Sequence, residues 1–187
     1  MTDKRIQKTK RAFYQAFLEL LDTKNVEQIT VSDLVKQADV NRTTFYRHYR
    51  EKEDLLNEMI ADVLADLRRA YNEPYQAEAH FSVHQLQPDM IKIFDHVEKN
   101  QKFYHHVITS KIGPGFQNEV CNVIKKLTLR DALHFDHSAD APNLELLASY
   151  QSHAIFGMIV YWVETNFHDS KEYMAEQLFL ILKLKRL

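Results

Sequence analysis

Between Thr30 and Lys52 the chain collects side chains suited to gripping a charged, hydrogen-bonding partner. Arg42, Thr43, Thr44, Tyr46 and Arg47 crowd hydroxyl and guanidinium groups into one short stretch. Groups of this kind reach base edges in the major groove of DNA. Thr30, Ser32, Asn41, His48 and Lys52 flank them with hydroxyl, amide, imidazole and ammonium groups, which suit phosphate oxygens and fix register on a duplex. The chemistry is recognition of double-stranded DNA, with no covalent bond made or broken.

Other chemistries lack their residues. The 187-residue chain has 3 glycines, where average usage of roughly 7% would give about 13. Neither a dinucleotide fingerprint nor a phosphate loop can be assembled from Gly113, Gly115 and Gly157. Cys121 and Ser149 have no base or orienting motif around them, so no enzyme is expected. The single cysteine excludes an internal disulfide framework. Histidine is enriched, with His80 and His84, His105 and His106, and His134 and His137 as close pairs. No acidic or cysteine cluster completes a ligand set around any of them, so no metal and no cofactor is expected. No apolar run approaches the roughly 20 residues that span a bilayer. The polar N-terminus is not a secretory signal. A cytoplasmic protein without membrane contact is the expectation.

The elements that must hold the recognition residues are all helical. Few breakers and periodic apolar positions predict an all-α fold. A first helix runs from about Lys4 to Asp22, with Ile6, Phe13, Phe17 and Leu20 at helical spacing. Thr30 followed by Asp33 has the form of a capping box and starts a short helix with Leu34, Val35 and Ala38 inward. Asp39 breaks that helix, and Asn41 caps the next, from Arg42 to about Tyr49. Val40, Phe45 and Tyr49 are its inward anchors. A fourth helix, opened by acidic residues, reaches about Asn72. Residues 73–88 are polar and ill-defined. Further helices are expected at 89–98, 100–110, 115–134, 143–167 and 171–185. Two short helices joined by a tight turn make a helix-turn-helix, whose second helix enters the major groove.

Charge divides the chain in the same place. Residues 1–52 carry 11 Lys and Arg against 7 Asp and Glu, while residues 53–187 carry 13 against 19. A basic head on an acidic body is the pattern of a nucleic-acid-binding domain attached to a separate one. The expected division is a head at 1–51 and a helical effector-binding and dimerisation body at 52–187.

The run from Thr30 to Tyr49, with Thr44-Phe45-Tyr46 and His48-Tyr49, followed by Lys52-Glu53-Asp54-Leu55-Leu56, closely resembles the DNA-binding head of TetR-type transcriptional regulators. The resemblance covers about residues 7–67. The segment around Phe156 to Trp162 also looks like a C-terminal domain of Firmicutes-type members. The resemblance implies a homodimeric regulator, usually a repressor of a palindromic operator. It places Tyr46, His48 and Lys52 on phosphate, and Val31, Ser32, Arg42, Thr43 and Arg47 near bases. Where many relatives have a turn glycine, this chain has Asp39, which tolerates a left-handed backbone better than most residues. A coactivator or protein-interaction module on the same fold is the alternative.

The body is expected to dimerise and to bind an unknown small-molecule effector. The helix near 143–167 is apolar nearly all round, so one side suits the core and another a partner subunit. Phe156, Gly157, Val160, Val163 and Phe167, with Leu178 and Leu182 of the last helix, are the expected dimer contacts. Aromatic walls suit an apolar effector. Phe94, Phe103, Tyr104, His106, Phe116, Tyr150, His153 and Trp162 are the expected lining.

Overall fold

The computed structural model describes residues 2–73, 86–109, 113–132 and 142–184, and every regular element among them is helical. The helices are α1 (Thr2–Leu21), α2 (Val31–Gln37), α3 (Arg42–His48), α4 (Lys52–Asn72), α5 (Ile93–Lys99), α6 (Gln101–Thr109), α7 (Gly113–Ala132), α8 (Leu144–Glu164) and α9 (Lys171–Leu184). Single 3-10 turns lie at Val26–Gln28 and Pro88–Met90. His80, His84, His134 and His137 lie outside the described residues.

The chain divides into two compact units, Met1–Asp62 and Val63–Leu187. The sequence reading divides the chain at residue 51, whereas this division falls within α4 and leaves its first half with the head. Two polar ties explain the later boundary. Lys10 of α1 pairs with Glu58, and the Tyr14 hydroxyl donates to Asp62 at 2.9 Å.

The head is built on an aromatic centre. Phe13, Phe17, Leu34, Phe45, Tyr49 and Leu55 are all buried. The Phe13 ring meets Phe45 edge-on at 5.3 Å and Tyr49 at 6.2 Å, which fastens α3 to α1. Gln37 donates to Glu19 at 2.6 Å and ties the end of α2 to α1. The turn between α2 and α3 is left-handed at Asp39, with φ of 51°. The Val40 amide closes it on the Val35 carbonyl at 3.0 Å. A short polar side chain takes glycine's place there, as its backbone tolerance allows.

The body centres on α8, which packs most extensively against α7. Val120 and Ile124 of α7, and Ala148, Ile155, Ile159 and Trp162 of α8, are buried. The sequence carried α8 on to residue 167, but it ends at Glu164. Asn166 and Phe167 are both left-handed, at φ 53° and 55°, and their amides cap Val163 and Trp162. The reversal lets the Trp162 indole N–H donate to the Asp169 carbonyl at 2.9 Å. Lys171, at the start of α9, bridges Asp95 at 3.1 Å and Glu98 at 2.8 Å, joining α9 to α5.

Candidate nucleic-acid interface

The interface is presented by α2 and α3, and two caps set where each begins. The Thr30 hydroxyl accepts from the Asp33 amide at 3.1 Å, and the Asp33 carboxylate accepts from the Thr30 amide at 2.9 Å. The same carboxylate accepts a hydrogen bond from the Thr30 hydroxyl at 2.8 Å and faces Lys24 at 2.8 Å. Lys24 and these Thr30 donors hold the Asp33 carboxyl down at about 2, so the cap stays charged under ordinary conditions. Asn41 caps α3 by accepting from the Thr43 amide at 2.8 Å. Thr30 and Asn41, expected at phosphates, thus have structural work as well. The exposed Asn41 amide also carries two N–H donors beside that acceptor.

From those starts α3 turns Phe45 and Tyr49 inward and leaves Arg42, Thr43, Tyr46 and Arg47 exposed. Ser32 is exposed at the first turn of α2, while Val31, Thr44 and His48 are half-buried. Val40, expected as an inward anchor, is only half-buried, and Leu34 and Phe13 fill the centre instead. The Arg42 guanidinium lies 5.6 Å from the Tyr46 ring centre and donates to its hydroxyl at 3.2 Å. Stacking of this kind orders two long side chains one turn apart. The arrangement offers guanidinium and hydroxyl groups on one exposed face of a helix whose other face is fixed by aromatic packing. It can bind a duplex, and no part of it resembles a nucleophile with its base.

Lys52, expected at a phosphate, is engaged within its own unit. Its ammonium donates to the carbonyls of Val26 at 2.6 Å, Glu27 at 3.1 Å and Ile29 at 2.8 Å.

In the body, the expected effector lining divides. Phe94 and Trp162 meet edge-on at 5.7 Å, and Phe116 meets Phe103 at 5.4 Å and Tyr104 at 5.5 Å. All five are buried, and His106 is half-buried. Tyr150 and His153 stand apart from this set, on the exposed face of α8. The expected dimer contacts divide likewise. Phe156, Val163 and Leu178 are buried within the chain, Val160, Phe167 and Leu182 are half-buried, and Gly157 is exposed. Each residue advances a helix by about 100°, so Phe156 and Val163 lie well round from Gly157. The exposed apolar stripe of α8 runs instead through Leu146, Tyr150, Gly157 and Tyr161, and α9 exposes Tyr173, Leu180 and Ile181.

One polar cluster was invisible in the sequence. His96 of α5 is 2% exposed, with Nδ1 at 2.8 Å from the Asp66 carboxylate and Nε2 at 3.0 Å from the Tyr104 hydroxyl. Asp66 of α4 also accepts from Arg69 at 2.6 Å and Lys99 at 3.2 Å. Burial, helped by Lys99 and Arg69, outweighs the pull of Asp66 and lowers the His96 pKa. Neutral His96 then donates from Nδ1 and accepts from Tyr104. Burial opposes the charge on Asp66, but the hydrogen bonds from His96, Arg69 and Lys99 win and hold its carboxyl low. Unfolded histidine titrates near 6.5, above folded His96, so acid favours the unfolded chain from about pH 6.5 downward until folded His96 itself protonates. Asp66 acts in the same direction below about pH 4, where unfolded aspartate protonates first. The melting temperature should therefore fall between pH 7 and 5, and this fall should shrink in His96→Gln.

Among the described residues no group of three His, Cys, Asp or Glu could hold a metal ion, and no helix is long and apolar enough to cross a membrane.

Comparison with known proteins agrees with this geometry. Residues 13–59 match the family described as bacterial regulatory proteins, tetR family. Residues 84–184, more than half of the chain, match the one described as transcriptional regulator C-terminal region. The HTH-type transcriptional regulator YxbF of Bacillus subtilis is 39% identical over 66 residues, covering 35% of this chain and 17% of that protein. The dhaKLM operon activator DhaS of Lactococcus lactis is 25% identical over 99 residues, covering 53% and 48%. The chain thus spans less than half the length of either curated relative. Among solved structures, a TetR regulator from Streptococcus agalactiae aligns over 96% of both chains at 24% identity, with a TM-score of 0.63. A regulator from Syntrophomonas wolfei covers 98% of this chain and 95% of its own, at 17% identity and a TM-score of 0.68. A helix-turn-helix head and an all-helical body, each matched along its own length, make one conclusion: the chain belongs to the TetR family of transcriptional regulators.

Proposed function

We propose that the chain is a ligand-responsive transcriptional regulator that binds a palindromic operator as a homodimer, represses transcription, and acts in the cytoplasm without enzymatic activity. The exposed face of α3, with Arg42, Thr43, Tyr46 and Arg47 above an aromatic core, carries the reading. The dimer reading draws on the exposed stripe of α8, where Leu146 is 72% and Tyr150 61% exposed. Large apolar side chains repeated at helical spacing on a surface mark an interaction face. A second copy would supply two more helices and hold two heads at the roughly 34–36 Å that half-sites one turn apart require. The effector would lie in the body, with Phe94, Phe103, Tyr104, His106, Phe116 and Trp162 as its aromatic surroundings. It must prefer one conformation of the regulator, since equal affinity for both shifts nothing. One observation favours a second reading, activation: the relative DhaS is named as an operon activator.

Selection from a random duplex pool at moderate salt should enrich a palindrome. Failure to enrich any sequence would overturn the DNA-binding reading. With that duplex, Arg47→Ala should relax preference at one position per half-site, at a cost of roughly 1–3 kcal/mol. A reporter placed behind the selected sequence separates the two signs, repression lowering its output and activation raising it.

A further inference from the structure

Lys52 stands at the first position of α4, where its positive charge opposes the helix dipole. The position makes sense once its partners are counted. An ammonium has three protons, and all three find backbone carbonyls, those of Val26, Glu27 and Ile29. These carbonyls belong to a single 3-10 turn and its cap; the Val26 carbonyl also accepts the Ile29 amide at 3.2 Å, so the ammonium reinforces a turn that its own backbone closes. The side chain is only 17% exposed, and the nearest acid, Glu53, is 4.0 Å away. Ile29, the last of the three acceptors, is buried, and the next residue is Thr30, the cap of α2.

We infer that Lys52 is a positioning residue, whose ammonium ties the first turn of α4 to residues 26–29 and thereby sets where Thr30 and Ser32 stand beside α3. The inference rests on the DNA-binding reading for its effect on affinity, and on the hydrogen bonds alone for its effect on stability. A phosphate contact from the same ammonium would have to displace one of the three carbonyls. The tie also gives α4 a direct hold on the start of α2. A shift of the first turn of α4 then moves the phosphate-facing end of α2 with it.

The two roles make opposite predictions for charge. Binding is measured on the duplex that the wild-type protein enriches from a random pool, as a function of salt. Loss of one phosphate contact lowers the slope of log affinity against log salt by about 0.9. Lys52→Met should weaken binding at least tenfold with that slope unchanged, and should lower the melting temperature of the free protein. Lys52→Arg keeps the charge, but a planar guanidinium cannot address three converging carbonyls as an ammonium does. It should therefore also melt lower and bind more weakly. Melting needs no DNA, so it reads the tie even if Lys52→Met folds poorly or no duplex is enriched. An Arg variant that matches wild type in both melting and affinity would overturn the inference. So would a Met variant with wild-type melting and a slope reduced by about one. Failure of the wild type to enrich any duplex would instead overturn the DNA-binding reading and leave the melting test standing.

Discussion

Phe45→Ala is expected to melt the head well below the body and to abolish duplex binding. Phe45 is fully buried and meets three other rings, Phe13 at 5.3 Å, Tyr49 at 5.4 Å and Tyr46 at 5.6 Å. Truncating a buried phenylalanine to alanine costs about 3–5 kcal/mol, through lost transfer energy and the cavity left behind. A unit of this size draws only about 3–5 kcal/mol from its single core, so the substitution removes most of what holds α3. Seven residues cannot keep a helix by themselves, because isolated helices below about 12–15 residues are marginal. The recognition face would then lose its shape even with Arg42 and Arg47 intact. Calorimetry should resolve a separate low-temperature transition that wild type lacks. Tyr46→Ala, one position on and half exposed, should lower the melting temperature far less. If Phe45→Ala melts like wild type, the aromatic centre is not what fixes the reading helix.

The legible parts of this molecule are those governed by neighbours in sequence. Thr30 with Asp33, and Asn41 with Thr43, are contacts across two or three residues, so residue type and spacing carry them. The left-handed turn at Asp39 is local in the same way. Element order and most helix ends follow from the same kind of signal. What stayed hidden depends on contacts distant in the chain. Lys52 reaches back 23 to 26 residues for its carbonyls, and Asp66 meets His96 across 30. Nothing beside either residue in the sequence announces its partner. The face of α8 is hidden for a different reason. A helix apolar all round has no contrast from which to read its orientation, so the packing of α7 decides which stripe is buried. Tyr150 and His153 thus face outward, and Phe156 and Val163 inward, by the same rotation of one helix.

That rotation gives Gly157 the clearest test of assembly. A Cβ built at Gly157 meets nothing within 4 Å in its own chain. In the isolated protomer Gly157→Ala should therefore be stabilising, by about 1 kcal/mol of helix propensity. Gly157→Arg should also leave the protomer's packing intact, since the new side chain enters open space. Any harm must come from something outside the chain. If two copies meet along Leu146, Tyr150, Gly157 and Tyr161, the glycine permits a close helix crossing, and an arginine there forces the crossing apart and places two like charges near the two-fold axis. Gly157→Arg is then expected to sediment as a monomer with wild-type helix content. Linking two half-site readers raises affinity by roughly 10²–10⁴ over one alone, so its binding to the full palindrome should fall by about that factor, while binding to a single half-site stays unchanged. A Gly157→Arg protein that remains dimeric would remove this face of α8 from the interface. The contrast between alanine and arginine excludes a simple folding defect, because an unstable protomer would show in circular dichroism before it showed in sedimentation.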